Sequence, residues 1–499
     1  MKLSLNWIKD YVDLKDIDVK RLAYDLTMST VEVEGTEDLA RRFDNMLLGE
    51  IKEVLPHPNA DMLRVCKVDL GDNVYEIVCG GSNLNVGMKV AVAIPGAIVR
   101  WHGEGEPVEI KKAKLRGVES YGMICASSEI GLVDLFPPKD EREIVDLTAF
   151  DFPAGTTLAK ALDMEDVLIE IDNKSMTNRP DLWGHYGIAR ELAALYNLPL
   201  KALKPCEAPK TNSVKIEIED TNRCCRYIGV SMENVDVRPS PYKIQNRIFK
   251  VGMRPINALV DITNYVMLAV GQPTHAFDTD TIVDHISIRH AKKNEQLELL
   301  NSKKLDLQED DLVIADGRGP IALAGVMGGK DDSILPTTNK VILEVANFES
   351  TGIRRTALRY DNRTEASSRY EKALDPERCD LALSIAMEMF SELFENVKVV
   401  GFTDKYENKL KRKELDISLD WLIKRLGKKI DNDTIKSQLS RLGFEITFNG
   451  DVMHVVVPTW RSTGDISIKA DMMEEVARMY GYDKLPVTIP KTSDVTDIP

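Results

Sequence analysis

A chain of 499 residues is too long for one hydrophobic core, and about three or four domains are expected. With 43% hydrophobic and 29% charged residues, the composition excludes an intrinsically disordered chain, and no apolar run approaches the roughly 20 residues of a membrane helix. A net charge of −15 excludes a surface coated for nucleic-acid binding, although it leaves room for a local basic patch. The N-terminus, MKLSLNWIKDYVDLKD, carries charge too early for the apolar core of a signal peptide. The seven cysteines include no paired CxxC motif, and adjacent Cys224 and Cys225 suit neither an ordinary disulfide nor zinc. Free thiols in a reducing cytoplasm are therefore expected.

In chain order, residues 1–38 read as a short α/β segment, with Leu22, Leu26 and Met28 spaced for a helix. From Met46 to about Val145, short Val- and Ile-rich runs alternate with Gly, Asn, Asp and Pro, which predicts a small barrel or sandwich. Within it Lys111, Lys112, Lys114 and Arg116 form a basic cluster that composition alone reads as a solvated face. A turn at Asn178-Arg179-Pro180-Asp181 leads into a helix marked by Ile188, Leu192 and Leu195, and a linker ends near residue 212. Residues 213–400 predict a mixed α/β block with strands in SVKIEIED, DLVIAD and VILEVANF. Residues 413–490 predict a winged-helix-like unit: helix, helix, a strand pair around EITFNGDVMHVVVP, and a last helix. There is no internal repeat, P-loop or GxGxxG sequence. In the last helix Asp471, Glu474 and Glu475 stand at i, i+3 and i+4, with Asp465 in the turn before it. Four converging carboxylates would suit Mg²⁺, although acidic side chains near a helix N-terminus are favoured by the dipole without any metal.

Residues 49–131, with GEIKEVLPHPNADMLRVCKVDLG, CGGSNLNVGMKVAVAIPGAIV and KAKLRGVESYGMICASSEIGL, resemble the tRNA-binding OB-fold domain found in several synthetases and in free tRNA-binding proteins. That resemblance makes Lys111, Lys114 and Arg116 candidates for RNA contact, with Arg64 and Lys67 secondary. Methionyl-tRNA synthetases can carry the same domain, so the other motifs decide. TNRPD and GIARELA, then GMRPINALVDITNYVMLAVGQPTHAFD, IALAGVMGG, VILEVANF, RTEASSRYEKALDP and VVPTWRSTGDISIKADMMEEVARMYGYDKLP resemble, in family order, bacterial phenylalanyl-tRNA synthetase β subunits along essentially the whole chain.

The resemblance implies a multidomain α/β (α+β) protein. It assigns residues 1–39 to an N-terminal α/β segment, 40–150 to an inserted OB-fold β-barrel and 151–208 to a continuation of the N-terminal domain. A mixed α/β editing domain over 209–402 and a winged-helix-like domain over 403–487 follow, with a tail at 488–499. It also implies a cytoplasmic α₂β₂ ligase that charges tRNA(Phe) using ATP and Mg²⁺, with the aminoacylation site on the α subunit. The family's catalytic-like and RRM-like anticodon domains would follow Pro499. Hydrolytic editing of Tyr-tRNA(Phe) would fall to this chain. Glu344 would accept the hydrogen bond of the tyrosine hydroxyl. Thr263, Asn264 and His275 would position water and the tRNA end, and Ala324, Gly325 and Ala366 would line the pocket. Without that context, Glu344 reads as a solvent-facing carboxylate on a strand half-buried at best, His275 as a satisfied core residue, and Gly325 equally as a turn requirement. The acidic group Asp465, Asp471, Glu474 and Glu475 matches the family's proposed magnesium site. The alternatives are a stand-alone deacylase of mischarged Tyr-tRNA and a non-enzymatic tRNA-binding scaffold.

Overall fold

The computed structural model describes residues 1–331 and 333–487; the expected tail, 488–499, lies outside the described residues. Among the described residues no helix is long and apolar enough to cross a membrane, and all seven cysteines are free thiols.

The chain begins by leaving a sheet unfinished. Strands Lys2–Ser4 and Val33–Asp38 do not pair with each other; Val167–Ile171 inserts between them as the central strand, antiparallel to both. The N-terminal amine donates to the Ile171 carbonyl at 2.8 Å, closing that sheet across 170 residues. Of the helix Val19–Ser29, Leu22 and Leu26 are buried; Met28 points outward, because its position turns away from the Leu22–Leu26 stripe. The helix His185–Tyr196 buries Ile188 and Leu192 in the same core, and Asn197 ends it in the left-handed conformation.

The intervening segment forms a five-stranded antiparallel sheet in the order Met123–Ile124, Lys89–Ala93, Met46–Pro56, Arg64–Asp69, Val74–Cys79. It curls until Tyr121 N donates to Glu76 O at 2.9 Å and Val78 N donates to Ser120 Oγ at 3.0 Å, which bring its two edges together. Ile51, Cys66, Val68, Ile77, Val90 and Val92 fill the interior.

Residues 216–405 hold two stacked sheets. The first has the antiparallel order Thr274–Asp278, Lys340–Phe348, Cys224–Glu233, Lys398–Lys405. One face, carrying Ile228, Val230, Val341, Leu343 and Val345, packs on the helices Ala258–Val270 and Arg378–Leu393 and merges with the core of the N-terminal domain. The other face, with Tyr227, Phe277, Ile342, Ala346 and Phe348, packs on a second sheet that includes Ile286–His290, Leu312–Ala315 and Pro320–Leu323. A strand covered on both sides is buried throughout, and residues 341–348 are all buried, where a half-buried strand was expected.

In the C-terminal unit, helices Leu419–Leu426, Asn432–Arg441 and Lys469–Tyr480 pack on a sheet with Val452–Val456 between Glu414–Ser418 and Glu445–Asn449. The expected strand pair is present. The strand Glu414–Ser418 is additional.

Candidate active site

The two-sheet sandwich places one carboxylate where its neighbours are apolar. Strand alternation puts Glu344 on the same face as Ile342 and Ala346, and it is only 4% exposed. Directly opposite on one side stands Gly229, which has no side chain; a Cβ there would lie 2.5 Å from Ile216 Cδ1. Directly opposite on the other side stands His275, on the edge strand. Glu344 therefore looks into a narrow cleft of about 70 Å³ between the sheets, walled by Thr274, His275, Gly325, Gly328, Ala366 and Tyr370 among others.

The electrostatics of this pair are set by burial. Loss of water pushes the Glu344 carboxyl up to about 7, even though Tyr227 donates to its Oε2 at 3.0 Å and pulls it down. The remaining oxygen, Oε1, has no hydrogen-bond partner among the described residues. Burial lowers the His275 imidazole to about 4, so it is neutral at pH 7. Its ring sits edge-on to Phe277, 4.6 Å between centroids, and neither ring nitrogen finds a partner among the described residues. The reading of His275 as a satisfied core residue therefore fails, as does that of Glu344 as a solvent-facing carboxylate. Two unpartnered polar groups facing one cleft are the signature of a place where a ligand completes the hydrogen bonding.

The other expected residues divide. Gly325 and Ala366 line the cleft, and Ala324 is buried beneath it. Gly325 has φ +66°, and a Cβ there would crowd Ile353, Phe348 and Tyr370 at 3.0–3.1 Å, so turn geometry and close packing both ask for glycine. Thr263 and Asn264 do not line the cleft. They sit on the helix Ala258–Val270, where Thr263 Oγ1 donates to Val260 O and Thr263 O accepts from Thr274 Oγ1 at 3.4 Å. The Asn264 side chain is half-buried and unpartnered among the described residues. Sequence reasoning passed over Tyr227, Gly328 and Tyr370. A Cβ on Gly328 would lie 2.9 Å from both Cε1 and Nε2 of His275, so that glycine makes room for the imidazole. Tyr370 donates to Pro273 O at 3.1 Å and Ala346 O at 3.0 Å, bracing the cleft floor.

On the barrel, strand Ala113–Leu115 pairs with Val118–Ser120 through a turn in which Arg116 and Gly117 have φ +44° and +98°. Lys111, Lys114 and Arg116 are exposed; Lys111 lies 3.7 Å from Glu109, while Lys114 and Arg116 form no ion pair among the described residues. Lys67 pairs with Glu53 at 2.6 Å, and the Arg64 guanidinium donates to the carbonyls of Asp61 and Leu63.

The acidic helix departs from expectation. Asp465, Asp471, Glu474 and Glu475 line one polar cavity, but Arg179, Arg461 and Arg478 line it too. Glu475 is held by Arg461 at 2.8 Å and Arg478 at 2.6 Å, which keep its carboxyl well below the usual range in spite of burial. Asp465 contacts Arg461 and lies 3.8 Å from Arg179. Asp471 accepts from the backbone of Ser467 and Ile468, capping the helix, and Glu474 is exposed. Among the described residues no three carboxylate, imidazole or thiol side chains are grouped as metal ligands. Asp465 and Glu475 do not fit Mg²⁺ in this arrangement, because guanidinium groups already supply the positive charge a cation would bring, whereas Asp471 and Glu474 have no ion pair among the described residues.

Three family models match the chain: "Putative tRNA binding domain" over residues 46–156, "B3/4 domain" over 223–395 and "tRNA synthetase B5 domain" over 415–482. The phenylalanine–tRNA ligase β subunit of Latilactobacillus sakei is 38% identical over 99% of this chain and 61% of its own length. That of Clostridium acetobutylicum is 39% identical over 99% of this chain and 62% of its own length. The chain thus spans about three fifths of the length of these curated relatives. Among solved structures, an N-terminal fragment of the phenylalanyl-tRNA synthetase β-subunit from Pyrococcus horikoshii is 17% identical, with TM-score 0.33, covering 63% of this chain and 88% of that one.

Proposed function

Since the chain belongs to the phenylalanine–tRNA ligase β-subunit family by domain content and by homology along its length, we propose that it binds tRNA(Phe) and hydrolyses tyrosine mistakenly attached to it. The observation that carries this reading is the pair of buried Glu344 and half-buried His275, each with a polar group facing one cleft that is unpartnered among the described residues. A cleft that merely accommodates rings cannot reject phenylalanine strongly, whereas a desolvated acceptor for the extra hydroxyl can separate the two by orders of magnitude. Glu344 Oε1 supplies that acceptor. Neutral His275 can accept a proton from water or donate to an oxygen of the ester, and so orients the attacking water. No covalent nucleophile is needed.

In the complete cytoplasmic enzyme this chain would pair with an α subunit, as α₂β₂, which holds the aminoacylation site and uses ATP and Mg²⁺. Lys114 and Arg116, free of ion pairs among the described residues, would meet RNA phosphates first, ahead of Lys111, Arg64 and Lys67. The test mixes the purified chain with preformed Tyr-tRNA(Phe), and separately with ATP, phenylalanine and uncharged tRNA. Release of tyrosine without any charging is expected. Robust charging without an α subunit overturns the assignment, and absence of hydrolysis by folded protein favours a tRNA-binding scaffold.

A further inference from the structure

The carboxylate at the centre of the cleft is held by a residue that no motif singled out. Tyr227 lies on the strand Cys224–Glu233, one position from Gly229 along the same face of the sheet, and is fully buried. Its hydroxyl donates to Glu344 Oε2 at 3.0 Å, across 117 residues of sequence. Because Gly229 stands directly opposite Glu344 and has no side chain, the phenol of Tyr227 reaches the carboxylate unobstructed. One oxygen is thereby occupied and the other left to the cleft. We propose that Tyr227 is a positioning residue that fixes Glu344 as a hydrogen-bond acceptor with Oε1 presented to the ligand, and so sets the preference for a ring bearing a hydroxyl.

The chemistry is symmetrical: one carboxylate accepts from a resident phenol and from a visiting one. An ionised acceptor binds a hydroxyl about twice as strongly as a neutral one. The protonation state of Glu344 therefore decides how well the hydroxyl is read. The titratable side chains around it are Tyr227 and Cys224 from one strand, His275 from the edge strand, and Tyr370 from the short helix Glu365–Tyr370. Burial raises both phenols and the thiol, and lowers the imidazole, so all four are neutral around pH 7. Only Glu344 changes charge there, and the Tyr227 hydroxyl favours its ionised form.

This inference rests on the proposed editing role only for its specificity half, and the test separates the two. In the full chain, Glu344 is titrated by infrared difference spectroscopy, with Glu344→Gln identifying its carboxyl band; deacylation of Tyr-tRNA(Phe) and Phe-tRNA(Phe) is followed over the same pH range. In Tyr227→Phe the carboxyl should titrate at higher pH than in the parent. The Tyr-over-Phe ratio of kcat/KM at pH 7 should fall at least severalfold and recover as pH rises. In the double variant Tyr227→Phe, Glu344→Gln the ratio should not respond to pH. An unchanged midpoint in Tyr227→Phe overturns the positioning role, whether or not the parent hydrolyses either substrate. A shifted midpoint with an unchanged ratio overturns the specificity role. A parent that titrates as expected but hydrolyses neither substrate counts against the editing reading alone.

Discussion

At the scale of single residues, Glu344 is a site bought at the expense of stability. Its carboxyl has an ordinary value of 4.5 in the unfolded chain and about 7 in the fold. Below pH 4.5 both states hold the proton and folding is unaffected. Between 4.5 and 7 the unfolded chain releases it while the fold retains it, so stability falls as pH rises. Above 7 the full penalty, about 3 kcal/mol, is in place. Glu344→Gln should therefore raise the thermal midpoint of the editing domain more at pH 8 than at pH 5, while weakening the preference for Tyr-tRNA over Phe-tRNA, because the amide oxygen is only a neutral acceptor. Calorimetry at the two pH values checks the first, and parallel deacylation assays check the second. Equal midpoint shifts at both pH values would show that the carboxylate is not under strain. A group that costs stability in its native place is the kind retained for function.

At the scale of elements, the strand Pro320–Leu323 and its partner Met327–Gly328 bring a glycine against His275. Gly328→Ala should displace the imidazole and reduce deacylation on the order of 100-fold, the scale expected for an ångström of misplacement, with little change in thermal midpoint. On the barrel, the exposed hairpin of Lys114 and Arg116 should act through charge alone. Replacing Lys111, Lys114 and Arg116 with alanine should weaken tRNA binding and reduce the slope of log affinity against log salt by about 2 to 3, as measured by filter binding. An unchanged slope would return the cluster to an ordinary solvated face. The same elements show how far sequence reaches. VILEVANF announces a strand by its β-branched residues, and the motif resemblance singles out Glu344 within it. What covers each face is decided by segments far away in the chain, so its burial was underestimated. Tyr227 could not be found at all, because only the pairing of Cys224–Glu233 with Lys340–Phe348 makes it a neighbour of Glu344. Glu414–Ser418 was missed for the opposite reason: only Ile417 is buried, leaving too faint an alternation to read. For the acidic helix, i, i+3, i+4 spacing fixes a shared face and says nothing of the arginines that arrive from elsewhere.

At the scale of the whole molecule, those arginines tie the acidic helix and the turn before it to the N-terminal domain. Arg179, on the turn before the helix His185–Tyr196, pairs with Asp181 at 2.9 Å and Glu191 at 2.5 Å. Glu191 also accepts from Arg478 at 2.8 Å, and Arg478 reaches Glu475, which holds Arg461. The chain of charges runs from the N-terminal domain into the C-terminal unit with every one of these side chains no more than 6% exposed. Arg190 adds a guanidinium 4.3 Å from the Trp460 ring, and Arg441 donates to Ala194 O at 3.0 Å across the same junction. Buried networks of this kind give little net stability compared with an apolar interface, but removing one member strands its partners without compensation, at about 3–5 kcal/mol. Glu191→Gln keeps shape and removes one charge between Arg179 and Arg478, so it should lower the thermal midpoint and expose the junction between residues 403 and 415 to protease. Because the pairs are buried, 0.5 M salt should not mimic the substitution, a concentration at which exposed pairs are screened over about 4 Å. The pH response should carry the opposite sign to that of Glu344. Arg179 and Arg478 hold the Glu191 carboxyl below its ordinary value, and Arg461 and Arg478 hold that of Glu475 well below it. Their contribution is therefore complete above the unfolded value near 4.5 and is lost as pH falls through the folded ones. Limited proteolysis across that acid range should release the C-terminal unit in the parent, and at a higher pH in Glu191→Gln. Identical cleavage profiles for the two proteins would mean that apolar packing alone joins the domains.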